Sequence, residues 1–315
     1  MPSAGPDLRE SEVVRTGRRW HVWRVVGSLI GFVLLVAAVW LVVSHADAAQ
    51  RAWSALEQPS PTAITILLVT SVLLIPLSAV AQSLMLRRTS GIRVGLGEMS
   101  ALVSVATLLN MLPMWPGAIG RIGYHKVVHG IPPMQAGVAV VSIRLIALMM
   151  GVVLLGMVWI WPVGAVAVWL AILFGLITTS IWPSMRLVAW VVVIRWVDLL
   201  FTAVRYAAAF SLLHVDLHSA GAAAMAGTGE VASSVPFIGG GPGLREWAIG
   251  WMSESISHLP DALVVGVMAD LLVRIATLVV TLPIGVLAFR WLSRRLQSSV
   301  GSIPRSRTVK SDSNA

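Results

Sequence analysis

The sequence predicts an all-α protein, a polytopic bundle of membrane-spanning helices. Charged residues make up only 12% of the 315 residues, about half of the roughly 25% found in soluble proteins. Apolar residues make up 57%, and so little polar material could not cover the surface of a soluble protein of this size. The apolar residues are also gathered into runs long enough to cross about 30 Å of hydrocarbon as helices.

Six such runs predict six long spans, and two shorter segments complete a bundle of eight. The short segments, 99–112 and 219–235, start 120 residues apart and each continues into a loop rich in Gly and Pro. This spacing predicts a pseudo-repeat of two halves, each with one segment that either crosses or re-enters the membrane. The six long runs are residues 25–43, 64–86, 136–161, 163–181, 187–213 and 262–289.

Charge divides the chain into a transmembrane domain, 25–291, between two basic tails, 1–24 and 292–315. The positive-inside rule places both tails in the cytoplasm, and the second tail is predicted to be disordered. The net charge of +9 does not predict a nucleic-acid partner, because aromatic residues do not interleave with the basic ones. The absence of cysteine excludes disulfides and thiolate metal sites, and we expect no metal and no cofactor.

The Gly-rich loop after segment 219–235 is the first candidate binding site. Gly240, Gly241 and Gly243 allow backbone N–H groups to form a nest for an anion. Arg245 follows with a guanidinium that matches a phosphate, and Glu246 is next to it. An alternative is a plain tight turn in which Arg245 and Glu246 cap or pair locally.

Ionisable residues within the apolar runs extend the candidate site, since such residues usually face a bundle interior or a watery path. Asp198 can share a helical face with its neighbouring arginines, whereas Arg144 has no acid nearby on its own helix. We therefore expect Arg144 to bind an anion from outside its helix. Local ion pairs that steady packing, as for Asp270 and Arg274, are the alternative. The predicted members are Arg144, Arg195, Asp198, Arg205 and Glu230.

Two motifs resemble those of bacterial lysylphosphatidylglycerol synthases, in their flippase-like transmembrane region. Residues 240–246, Gly-Gly-Pro-Gly-Leu-Arg-Glu, resemble a Pro-x-Pro-Gly-Gly-x-Gly-x-Arg-Glu signature, with one extra residue after Pro236. Residues 116–120, with Pro116, Gly117 and Gly120, resemble Pro-Gly-x-x-Gly-Glu, but Arg121 stands where that motif has its acid. The resemblance covers residues 20–295 and implies a bacterial cytoplasmic membrane protein.

The resemblance implies a flippase without the lysyl transferase domain, and therefore no synthase activity. The leading hypothesis is translocation of a phospholipid or polyprenyl-phosphate lipid between leaflets. The alternatives are an intramembrane lipid-modifying enzyme and a non-catalytic accessory subunit. Membrane lipids with anionic headgroups are the expected partners, together with a second copy of the chain or a separate lipid-synthesising enzyme. We also expect Arg121 and Lys126 to lie on the same membrane face as Arg245, as gates of one cavity.

Overall fold

The computed structural model describes residues 57–111, 116–159, 185–234, 243–257 and 261–301, with Ile177 and scattered positions before residue 57. Within these residues the chain forms eight helices and no strand. The expected loop 235–242, the 1–24 tail and most of the expected spans 25–43 and 163–181 lie outside them. The helices are α1 (Pro61–Ser90), α2 (Leu96–Leu109), α3 (Pro116–His129), α4 (Pro133–Trp159), α5 (Arg186–Leu212), α6 (Ser219–Ser234), α7 (Leu244–Ile256) and α8 (Ala262–Gly301).

Four of these helices are long and apolar enough to cross a membrane, which confirms a helical membrane protein. They are α1, α4, α5 and α8, and they coincide with four of the six predicted long spans. Helix α1 starts as its sequence suggests, because Ser60 accepts a hydrogen bond from the Ala63 amide and Pro61 occupies the first turn. Helix α8 continues to Gly301, ten residues beyond the boundary expected at 291.

The other four helices are short, and they form two hairpins, α2–α3 and α6–α7. Each has 13 to 16 residues, or about 20–24 Å at about 1.5 Å per residue, less than the hydrocarbon thickness. The prediction of a Gly/Pro loop up to Arg121 was wrong, because helix α3 already begins at Pro116. Proline is well tolerated in the first turn of a helix, where its missing N–H has no partner to lose.

Helix α3 packs very closely on α2, and a glycine makes this possible. A Cβ atom on Gly117 would lie 2.2 Å from the carbonyl oxygen of Ala106. The Gly117 amide also donates a hydrogen bond to the Asn110 side chain (3.1 Å). Gly117 is therefore needed for packing between the two arms of the hairpin.

The α2–α3 hairpin opens towards the end of the bundle where α1 ends and α8 ends. Glu98, at the start of α2, accepts a hydrogen bond from Tyr124 near the end of α3 (2.7 Å). It also accepts one from Arg295 near the end of α8 (2.7 Å). We call this the basic end, because it carries Arg87, Arg88, Arg93, Lys126, Arg186, Arg290, Arg294 and Arg295.

The α6–α7 hairpin opens towards the opposite end. Short connections join α5 to α6 and α7 to α8, so the hairpin starts and finishes where α5 ends and α8 begins. We call this the acidic end. Its described residues, 57–62, 210–220, 252–257 and 261–263, include Glu57, Asp216, Glu254 and Asp261 but no Lys or Arg.

Along the described chain, a long helix, two short helices and a second long helix follow one another twice, as α1–α4 and as α5–α8. Helices at corresponding places in the two series also have corresponding packing partners. Helices α1 and α5 pack against each other, and α2 packs on α8 as α6 packs on α4. The end of α1 and the start of α5 contribute Met85, Leu86 and Val191 to one buried cluster. These two helices therefore run antiparallel.

Replacing Gly117 with alanine tests the close contact between α2 and α3. Gly117→Ala should lower the free energy of unfolding by about 1–3 kcal/mol, because the backbone of α2 must move away. Thermal unfolding in detergent measures this. Gly123→Ala is the matched control on the same helix: a Cβ there meets nothing within 4 Å, so it should be neutral or slightly stabilising. Equal effects of the two substitutions would contradict the contact.

Candidate functional site

A polar cavity of about 290 Å³ lies inside the bundle and is lined by residues of all eight helices. Its members lie in the middle of α1, α5 and α8, far from the helix ends. Arginine is the most frequent polar residue of the lining, and the lining residues include two carboxylates, Asp198 and Glu230. The six arginines of the lining are Arg121, Arg144, Arg195, Arg205, Arg245 and Arg274.

Helices α4, α5 and α6 meet at a cluster of alternating charges. Arg195 donates hydrogen bonds to Asp198, one turn later on α5, and to Glu230 of α6 (3.0 Å). Glu230 also lies 3.9 Å from the Arg144 guanidinium of α4. Glu230 thus supplies Arg144 with a carboxylate from another helix, and binding of an external anion by Arg144 stays a prediction. The local pairing of Arg195 with Asp198 was the alternative that the sequence left open.

Arg245 is held at the start of α7 by side chains of α5 and α8. Its guanidinium lies 2.9 Å from a carboxylate oxygen of Asp270 and donates to the Tyr206 hydroxyl (3.0 Å). Tyr206 in turn donates to the same Asp270 oxygen (2.7 Å). Asp270 and Tyr206 are fully buried, whereas Arg245 is partly exposed and lines the cavity. The guanidinium is therefore fixed on one side and open to the cavity on the other.

Glu246 lies behind the cavity wall, where it is fully buried. One of its carboxylate oxygens accepts a hydrogen bond from the Gly243 amide (2.6 Å), which caps the first turn of α7. The other forms an ion pair of 3.0 Å with Arg274 of α8. Gly243 has a φ of +122°, which side chains other than hydrogen strongly disfavour. Glu246 thus orients the helix end and Arg274, while Asp270 orients Arg245.

Arg121 and Arg205 differ from the other four arginines, since neither forms an ion pair with a carboxylate of the described residues. Arg121 donates to the Gln82 side chain of α1 and to a backbone oxygen of its own helix. Arg205 donates to the Val273 carbonyl oxygen (2.9 Å) and to the Thr277 hydroxyl. Both arginines are more than nine-tenths buried, and the Nε of Arg205 has no hydrogen-bond partner among these residues.

The structure brings half of the predicted site residues to the wall of one cavity. Gly117 is buried in the contact with α2, Pro116 and Gly120 also lie outside the cavity lining, and Gly240 and Gly241 are outside the described residues. Tyr206, Gln82 and Thr277 were missed, although polar residues inside apolar runs were the available signal. The predicted residues that line the cavity are Arg121, Arg144, Arg195, Asp198, Arg205, Glu230 and Arg245.

A second polar cluster closes the basic end, around the carboxylate of Glu98. His129 lies 3.2 Å from one Glu98 oxygen, and Arg295 and Tyr124 donate to the carboxylate as described above. Burial lowers the pKa of the neighbouring His125 to about 4, and the positive charges of His129 and Arg121 add to the effect. His125 is therefore neutral at physiological pH, and the cluster ties α2, α3 and α8 together.

No family model, curated protein or solved structure matches this chain. The resemblance to the lysylphosphatidylglycerol synthases therefore stays a hypothesis that rests on the two loop motifs.

Asp270 is the carboxylate on which the Arg245 side of the cavity depends. Asp270→Asn should lower the free energy of unfolding by about 3 kcal/mol, because Arg245 loses its carboxylate partner and Arg274 keeps only Glu246. Denaturant unfolding in detergent measures this. Glu254→Gln removes an exposed acid on α7 and should change stability by less than about 0.5 kcal/mol. An Asp270→Asn protein as stable as that control would contradict the arrangement.

Proposed function

We propose that this protein translocates a lipid with an anionic headgroup across the membrane, and that the headgroup passes through the arginine-lined cavity. The observation that carries the proposal is the position of six arginines around a cavity at the middle of a membrane bundle. Arginine in hydrocarbon is costly and is usually retained for a functional path. A cavity of about 290 Å³ suits a headgroup, because the acyl chains can remain in the bilayer.

The lining supports binding of a phosphate in particular. Guanidinium groups present paired donors that match phosphate oxygens, and a poorly hydrated cavity strengthens each charge-assisted bond. Arg245 is suited to this role, since Asp270 and Tyr206 hold its orientation while its cavity side is open. Ser71, Ser78 and Thr202 add hydroxyl groups to the wall.

The helix directions support an inverted repeat, in which each half has a long helix, a hairpin that enters part-way, and a second long helix. Helix α1 runs towards the basic end and its counterpart α5 runs away from it. Their hairpins consequently open to opposite ends. Inverted repeats with broken segments that meet at a central site are the architecture of many transporters.

The same directions support the six predicted spans. Helix α4 starts at the basic end, where α3 finishes, and α5 also starts at the basic end. A crossing within residues 163–181 would return the chain from the far end of α4. The positive-inside rule assigns the basic end to the cytoplasm, which places the C-terminus there, and a crossing within 25–43 places the N-terminus there as well. A bacterial cytoplasmic membrane is the location that the family resemblance implies.

This arrangement suggests how a headgroup could reach the cavity from either leaflet. The α2–α3 hairpin separates the cavity from the basic end, and the α6–α7 hairpin separates it from the acidic end. Rigid-body movement of one half against the other would open one hairpin at a time, as in alternating access. The lysylphosphatidylglycerol synthases, whose motifs the two loops resemble, are expected to move lipids in the same general way.

Single cysteines can test whether the hairpins open to opposite faces, because the chain has no native cysteine. Lys126→Cys on α3 and Glu254→Cys on α7 both replace exposed side chains. In intact cells an impermeant maleimide should label Glu254→Cys only, and Lys126→Cys should require permeabilisation. This expectation replaces the sequence-based one, in which Lys126 shared a face with the second loop. Labelling of both from outside would contradict the inverted arrangement.

Substitution of Arg245 tests the role of the cavity. Arg245→Lys keeps the charge but loses the paired donors, so lipid translocation should fall, and Arg245→Ala should nearly abolish it. The measurement is leaflet exchange of fluorescent anionic lipids in proteoliposomes, read with an impermeant quencher. Arg186→Ala, at an exposed site on the start of α5, is the matched control and should transport normally.

Stability must be followed on the same purified variants, because Arg245 also neutralises Asp270. A purely structural role predicts that activity falls only in proportion to thermal stability. The proposal predicts that Arg245→Lys, which can still pair with Asp270, loses transport at nearly unchanged stability. A stable Arg245→Ala protein with unchanged transport would remove Arg245 from the site.

A further inference from the structure

Among the described residues, the charges around the cavity do not balance, and the excess is positive. Four arginines are matched by four carboxylates through the ion pairs described above. Arg144 and Arg195 face Glu230 and Asp198, and Arg245 and Arg274 face Asp270 and Glu246. The matched groups together contribute no net charge.

Arg121 and Arg205 are the two arginines left over. The internal segments outside the described residues, 112–115, 160–176, 178–184, 235–242 and 258–260, contain no Asp or Glu. These segments therefore cannot supply a counter-charge. Both guanidinium groups are buried and lie on the cavity wall. The internal parts of the chain supply no carboxylate to pair with them.

The excess at Arg121 arises from a difference between the two halves. Arg121 donates to Gln82 and Arg245 donates to Tyr206, and both pairs are separated by 39 residues. Both residues of the second pair lie 124 positions after their counterparts in the first pair. In the second half Asp270 and Glu246 complete the network. The residues 124 positions before Asp270 and Glu246 are Ile146 and Ile122. Arg121 therefore has no equivalent of either acid.

Buried cations without counter-ions are costly in a membrane interior, so a ligand that supplies two negative charges would relieve both at once. We propose that the cavity binds a phosphate monoester, whose terminal group carries between about −1.5 and −2 charges at pH 7. A phosphodiester headgroup carries one negative charge and leaves one arginine unmatched. This inference rests on the proposed function only in one respect, namely that the molecule carrying the phosphate is a lipid. The charge count itself concerns the cavity alone.

Binding to the purified full-length chain in detergent tests the inference. Isothermal titration calorimetry compares three probes: phosphatidic acid, a lipid phosphate monoester; phosphatidylglycerol with the same acyl chains, a diester; and inorganic phosphate. At pH 8 phosphatidic acid should bind at least about tenfold more tightly than phosphatidylglycerol, the size expected for one additional charge-assisted contact. The ratio should approach one at pH 5, below the second phosphate pKa of about 6.

Arg121→Gln and Arg205→Gln should each reduce that ratio by about tenfold while affecting the diester much less. Arg87→Gln, an exposed arginine at the end of α1, is the control and should leave the ratio unchanged. If a variant does not fold, the pH dependence of the unmodified chain still decides the matter.

Equal binding of the two lipids at pH 8, or a ratio independent of pH, would overturn the inference. Tight binding of inorganic phosphate without phosphatidic acid would support the phosphate chemistry and contradict a lipid substrate. A clear preference for phosphatidic acid without leaflet exchange in proteoliposomes would support the monoester site and contradict translocation. The substrate class and the transport function can therefore fail separately.

Discussion

The pairing of buried arginines with carboxylates is the interaction on which the rest of this structure depends. A charge in the middle of a membrane bundle costs several kcal/mol unless another charge compensates for it. Most of these pairs join different helices: Arg195 of α5 meets Glu230 of α6, and Arg245 of α7 meets Asp270 of α8. Because the partners lie on different segments, satisfying the charges also fixes where the two hairpins sit.

The hairpins need such anchors because their own apolar surface is limited. Helices α2, α3, α6 and α7 are too short to cross the hydrocarbon, and their inner ends must stop inside the protein. Polar backbone groups at those ends find partners in the interior: Gly117 donates to Asn110, and Gly243 donates to Glu246. The cavity forms where the two inner ends approach each other, which explains why all eight described helices contribute to its wall.

Two arginines of the cavity have the same separation in sequence from their partners but different surroundings. Arg121 lies 39 residues after Gln82 and Arg245 lies 39 residues after Tyr206, yet only Arg245 forms an ion pair with a carboxylate of the described residues. A symmetric version with acids in both halves would have a balanced interior and little attraction for an anion. Ile122 and Ile146 stand at the positions that correspond to Glu246 and Asp270, so Arg121 has no such acid to balance its charge.

The sequence alone determined that this is a helical membrane protein, because hydrophobic length is a local property. It located three long helices to within four residues at each end, and the start of the fourth. It also selected five of the six arginines of the cavity, since charges inside apolar runs are conspicuous. It could not decide that Pro116–His129 is a helix rather than a loop, because Gly117 is favourable there only against the backbone of α2. Nor could it assign Glu246 to Arg274 or Asp270 to Arg245. Those pairings depend on which helices become neighbours, and only the tertiary structure decided that.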